Sequence, residues 1–195
     1  MDQFSDAAGL SLLLDNAPGH AMIWDRFLNE LIRQLPCDSG ALLVSDLMDN
    51  GNTHFLFSAH IQPEYREQYE NKLNRLDKFN HFIGKNPHRA YYNQAIKGML
   101  REEASSNFIS PNGQQHRFGL SIPCNHKHAL SLLVNRKAAF DEDEQLRVTR
   151  VLQGIIPSLE DAIHAEQRHK INSQLRLYLG GHFDSYIIVD HKLNI

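Results

Sequence analysis

From Asp141 to about Leu179 the sequence keeps a helical period, and this stretch constrains the fold more than any other. Val148, Leu152, Ile155, Leu159 and Ala162 step by four, three, four and three residues. So narrow an apolar seam needs a sheet or a second helix to lie on. Asp141 predicts the N-cap, and Glu144, three residues on, completes a capping box. Pro157 removes the donor that would bond to Gln153 and predicts a kink. Gly180-Gly181 predicts the stop.

The partner for this seam lies just upstream. His128 to Arg136 contains ALSLLVNR, nearly all apolar, as a central strand requires. Gln115 to Ile122 predicts the strand before it, with Pro123-Cys124-Asn125-His126-Lys127 as the turn. Earlier still, residues 20–35 predict a helix, with Ile23, Phe27, Leu31 and Leu35 every fourth residue and Pro36 ending it. Residues 40–45 and 53–58 read as strands about the Asp49-Asn50-Gly51-Asn52 turn, which predicts a hairpin. Pro63 opens a further helix with the stripe Tyr65, Tyr69, Leu73 and Leu76. Residues 77–114 carry scattered Gly and Pro and read as long connections, with short helical pieces near 91–104. Long ordered connections of this kind are often functional. The element order gives an α+β fold: an antiparallel sheet flanked by the first and last helices, the last being a long exit helix.

Composition narrows the function. A 195-residue chain that is 42% hydrophobic holds one ordinary domain with something left over. No apolar run approaches the ~18 residues that span a bilayer, so no membrane association is expected. The first residues lack the basic region of a signal peptide. Two cysteines make no disulfide framework, and a reduced, cytoplasmic protein is the expectation. Net charge is −3 with no Lys/Arg block, so this segment is not expected to bind DNA by itself.

Arg136, Phe140, Glu144, Leu152, Pro157, Leu159 and Ala162 form the pattern R-x3-F-x3-E-x7-L-x4-P-x-L-x2-A. This resembles the end of the GAF-like sensory domain of LuxR-type bacterial transcription regulators. Ser158 stands where that family commonly has His. Trp24-Asp25-x-Phe27-Leu28-x2-Leu31 resembles the first helix of the same domains, and Tyr65-x3-Tyr69 followed by Asp77 the stretch before their ligand-side loop. Phe108, Pro111, Gly113 and Gly119-Leu120 resemble the entry to their third strand. Tyr186-Ile187-Ile188-Val189-Asp190 is similar to the opening strand of a PAS-like segment that often follows. The resemblance implies a sensory domain over 1–165, a connecting helix over 166–182, and the truncated start of a PAS-like segment over 183–195. It also implies that DNA is contacted only through a C-terminal helix-turn-helix missing from this chain.

The resemblance places a small-molecule pocket between the sheet and the loops over it. Ten aromatic residues are the candidate walls: Phe55, Phe57, Tyr65, Tyr69, Phe79, Phe82, Tyr91, Tyr92, Phe108 and Phe118. Phe55 and Phe57, two apart, are expected on one strand face. Ile163, Ile171, Leu175 and Leu179 are the candidate dimerisation residues on the exit helix. No cofactor is implied. Cys124, His126 and His128 have ligand chemistry, but the turn breaks their alternation and no fourth ligand accompanies them, so no metal site is expected. His81, His88 and His116 could serve acid–base chemistry with Asp77 or Glu102, yet no nucleophile-plus-base spacing accompanies them. Cys37 at a helix end has no activating neighbour. The leading expectation is therefore a ligand-binding sensory domain and not an enzyme. A ligand-free dimerisation scaffold is the alternative, and a small hydrolytic enzyme is a more distant one.

Overall fold

The computed structural model describes residues 4–48, 52–99 and 115–178, and side chains within 7–48, 52–98 and 115–170. Its elements run α1 (Phe4–Asp15), α2 (Ala21–Gln34), β1 (Ser39–Asp46), β2 (Thr53–Ala59), α3 (Pro63–Gln68) and α4 (Lys78–Lys85), with a π turn (Tyr69–Leu73) and a 3-10 turn (Asn74–Leu76) between the last two. They continue as β3 (Tyr91–Tyr92), a 3-10 turn (Lys97–Met99), β4 (His116–Pro123), β5 (His128–Arg136), α5 (Glu142–Gly154) and α6 (Ile156–Tyr178). The five strands form one antiparallel sheet in the order β2-β1-β5-β4-β3. The expected α+β arrangement is present, and β5 is the central strand.

Strand periodicity sorts the side chains. Phe118, Leu120 and Ile122 of β4, Leu130, Leu132 and Val134 of β5 and Leu42 of β1 join a large core with α1, α2, α5 and α6. The seam residues Val148, Leu152, Ile155, Leu159 and Ala162 are all buried in it. The intervening strand residues, with Ala41, Leu43 and Leu133 among them, turn to the opposite face. There they meet Tyr65, Tyr69, Phe79 and Ile83 of the α3–α4 segment. The sheet thus has a helix face and a loop face.

The Asp141–Glu144 capping box forms as read from sequence. Arg136 grips Glu144 with two guanidinium nitrogens at 2.8 and 2.7 Å and lies 4.1 Å from the centre of the Phe140 ring. The R-x3-F-x3-E spacing is thereby a clasp that joins the end of β5 to the start of α5. The single helix expected from Asp141 divides at Ile155, two residues before Pro157.

Three expectations need correction. α1 was not foreseen, because its Leu10 and Leu14, both fully buried, sit in a segment with almost no amphipathic contrast. α4 lies where the sequence predicts connection, because it spans only two turns, yet Asp77 caps it by accepting from the Asn80 backbone amide. Phe55 and Phe57 do not share a face. Leu42 pairs with Phe57 and Leu43 with Phe55, so Leu56 is the extra residue of a β-bulge. Phe55 consequently packs on Tyr69 at the loop face, while Phe57 stacks on Trp24 at the helix face.

The boundary expected at 165/166 falls within the continuous α6. The segment 183–195 lies outside the described residues.

Candidate functional site

The two faces of the sheet differ sharply in polarity. Ten buried polar or charged residues occur among the described ones: Ser39, Ser45, Thr53, Asn74, Asp77, Asn80, Arg117, Ser121, Ser131 and Asn135. All ten lie on the loop face or in the α3–α4 segment covering it, while the buried helix face is apolar. Burying a polar group costs free energy unless it is hydrogen-bonded. A sheet face this polar therefore needs a partner that fits it.

At its centre Arg117 of β4 donates to both carboxylate oxygens of Asp77, at 3.0 and 2.9 Å, with both side chains 2% exposed. Tyr69 donates its hydroxyl to Asp77 Oδ2 at 2.9 Å. The Arg117 guanidinium also lies 5.1 Å from the centre of the Phe79 ring. A second chain of bonds runs alongside: Asn80 Nδ2 to Ser45 Oγ, Thr53 Oγ1 to the same oxygen, and Asn74 Nδ2 to the Thr53 carbonyl. Burial alone would raise the Asp77 carboxyl, but the Arg117 charge and the bonds from Arg117, Asn80 and Tyr69 hold it below the usual carboxylate range. Burial and the Asp77 charge push the Tyr69 phenol up. The group is therefore a closed ion pair and no general base.

Polar capacity is left over. Among the described residues Arg117 Nε, Asn80 Oδ1, Asn135 Oδ1, Ser121 Oγ and Ser131 Oγ are buried without a hydrogen-bond partner. Arg117 and Asn135 are direct cross-strand neighbours. They line a cavity of about 10 Å³ whose other walls include Ala41, Leu43, Phe55, Tyr65, Tyr69 and Leu133. That space is at the lower limit for one water. The segment covering it is irregular: the chain turns through a π and a 3-10 turn. His60 and His88, at its two ends, have φ of 58° and 61°, in the left-handed region that a side chain disfavours.

Of the ten expected wall residues, the structure gathers six on this face: Phe55, Tyr65, Tyr69, Phe79, Phe82 and Tyr91. Phe57, Tyr92 and Phe118 belong to the helix face, where Tyr92 stacks on Phe118 and edges against Phe140. Phe108 lies outside the described residues. Sequence reading missed Arg117 and Asn135. Their one signal is their place in strands otherwise apolar, at positions that alternate with the helix-face residues.

A larger groove of about 290 Å³ opens on the helix face, between β1, β2 and β5 and the helices α2 and α6. Trp24, Leu42, Val44, Phe57, Leu130 and Ile163 make its apolar lining, and Glu166 and Lys170 its rim. Glu166 accepts from the Gly19 amide and from Trp24 Nε1, tying α6 to the α1–α2 turn. Ile163, expected to meet a partner, is 4% exposed and packs within its own core. Ile171 and Leu175 fall on α6, and Leu179 lies outside the described residues.

The remaining candidates do not assemble chemistry. His116 Nδ1 sits 2.7 Å from the Tyr92 hydroxyl, and His88 faces Glu160 at 3.5 Å. Glu102 lies outside the described residues. Burial pushes the Cys37 thiol up to about 12 and also raises Cys124. Among the described residues no three His, Cys, Asp or Glu side chains gather as metal ligands, and no helix is long and apolar enough to cross a membrane.

No protein-family model and no curated protein matches the sequence. Solved structures do match the fold. The LBD domain of VqsR from Pseudomonas aeruginosa aligns with a TM-score of 0.62 at 16% identity, covering 85% of this chain and 96% of that one. CepR2 from Burkholderia cenocepacia, an N-acylhomoserine-lactone-dependent LuxR-family transcription factor, aligns with a TM-score of 0.62 at 11% identity, covering 85% and 98%. The phycoerythrobilin-bound GAF domain of a cyanobacterial phytochrome aligns with a TM-score of 0.53 at 13% identity, covering 87% and 98%. The chain thus has the GAF-like α+β fold found in ligand-binding domains of LuxR-type regulators.

Proposed function

We propose that this chain is the sensory region of a LuxR-type transcription regulator. A small molecule binds on the loop face and biases the arrangement of the domain and its exit helix. The observation that carries this reading is that all ten buried polar or charged residues among the described ones lie on one face of the sheet or in the segment covering it, around a closed centre with unpartnered donors and acceptors. A ligand-free scaffold has no use for such a face, since an apolar one would be cheaper to bury. Phe55, Tyr65, Tyr69, Phe79, Phe82 and Tyr91 would wall the site.

α6 supports the second half of the proposal. Ile163 is its last buried residue among those described to 170, and it continues to Tyr178, about 22 Å further at 1.5 Å per residue. Two copies joined along this extension, through Ile171, Leu175 and Leu179, would pass the bias to a DNA-binding domain outside this sequence.

Thermal melting against a metabolite library tests the reading. A compound that raises the midpoint by several degrees should lose its effect with Phe79→Leu and keep it with Tyr92→Leu, which alters the other face. A compound whose shift follows Tyr92→Leu and ignores Phe79→Leu would move the site to the helix face. No shift from any compound, with a stable dimer, would leave the scaffold reading.

A further inference from the structure

The loop-face site carries one inference about what it binds, and this rests on the sensory reading above. We propose that its ligand is a zwitterion of the free α-amino-acid class. The ligand's carboxylate replaces Asp77 on Arg117, and its ammonium replaces Arg117 on Asp77.

The argument starts from charge conservation in a buried site. Arg117 and Asp77 are both 2% exposed and satisfy each other through two bonds. Any ligand that enters between them must leave neither charge uncompensated, because an unpaired buried charge costs several kcal/mol. A simple anion satisfies Arg117 and leaves Asp77 facing a second negative charge. A simple cation does the reverse. An apolar molecule that parts the pair strands both charges. A molecule with one anionic and one cationic end replaces one ion pair by two and leaves the net charge of the site unchanged.

The leftover groups fit the same ligand. Arg117 Nε is a buried donor without a partner, available to a second carboxylate oxygen in the fork geometry of guanidinium. Asn80 Oδ1 and Asn135 Oδ1 are buried acceptors without partners among the described residues. An ammonium brings three N–H donors, one for Asp77 and a further one for an acceptor such as Asn135 Oδ1, which lines the cavity with Arg117. Ala41, Leu43 and Leu133, which line the cavity with Arg117, favour a small aliphatic side chain.

Room must be made, since the present cavity of about 10 Å³ holds one water at most. The covering segment is built to move. It runs between two residues with positive φ, His60 and His88, and it contains the π turn that carries Tyr69. Positive-φ side chains and π turns both concentrate at functional and switching segments.

The test is calorimetry and thermal melting of the whole chain with the twenty free L-amino acids as probes, beside the N-acetyl and methyl-ester forms of the same compounds. At least one free amino acid should bind, and its two singly charged derivatives should bind at least about 100-fold more weakly, as sites built around polar contacts reject analogues that lack them. The Arg117→Met/Asp77→Leu double variant removes both charges together, an exchange that buried pairs often tolerate, and it should melt cooperatively while losing the response. Equal binding of the derivatives, or of a neutral metabolite through the same Phe79-dependent site, overturns the zwitterion class and leaves the sensory reading standing. Binding by none of the twenty also overturns the class, and silence from the wider metabolite library would then take the sensory reading with it. The comparison of derivatives needs no variant, so a double variant that fails to fold does not remove the test.

Discussion

At Gly119 a side chain has nowhere to go. A Cβ there would lie 2.6 Å from Leu133 Cδ2, 2.9 Å from Ile83 Cδ1 and 3.1 Å from Phe79 Cε1. The missing side chain lets α4 press onto β4 and brings Asp77, its cap, within reach of Arg117 two residues back along the strand. Gly119→Ala should cost about 1–3 kcal/mol by overpacking and lower the melting midpoint accordingly. An unchanged midpoint would show that α4 is not held so closely. The Arg136–Glu144 pair gives a second prediction. The bond to Arg136 holds the Glu144 carboxyl down to about 2 from its ordinary 4.5. A lowered folded value means that the pair stabilises the fold above pH 4.5 and that this contribution fades as pH falls toward 2. Both side chains reach solvent, so the contribution is within about 1 kcal/mol. Glu144→Gln should flatten that part of the acid-melting profile and leave the neutral plateau lowered by no more than this amount.

At the scale of elements, legibility followed amphipathic contrast. α2 and the Asp141 cap are readable from a period and from capping residues, and the strands of the long hairpin from short apolar runs on either side of a turn. α1 was hidden because its apolar residues surround the helix without a clear polar side, so no period marks which face is buried. Leu10→Ala or Leu14→Ala should each cost about 2–5 kcal/mol, since both side chains are fully enclosed between α2 and the α5–α6 pair. Loss of less than 1 kcal/mol at both would mean α1 is an appendage. The bulge at Leu56 was equally invisible, because period-two reasoning assumes an unbroken ladder. That one residue decided which of two phenylalanines belongs to the candidate site. The site's polar heart was harder still. Arg117 and Asp77 stand 40 positions apart, and only the packing of α4 on β4 makes them neighbours.

At the scale of the molecule, α6 makes the strongest prediction about assembly. If the extension past Ile163 joins two copies, light scattering should give a dimer whose dissociation follows concentration, and Leu175→Glu should shift it to monomer without lowering the melting midpoint of the domain. A monomer at every concentration would confine α6 to its own core. The division between the sheet's two faces has a consequence for how such a chain changes over time. One side carries the apolar mass that keeps the domain folded; the other carries the polar groups that, in the proposed function, choose what it recognises. Substitutions that retune recognition can accumulate on one side while the other goes on supplying stability, so a lineage can exchange one signal for another without passing through an unfolded intermediate.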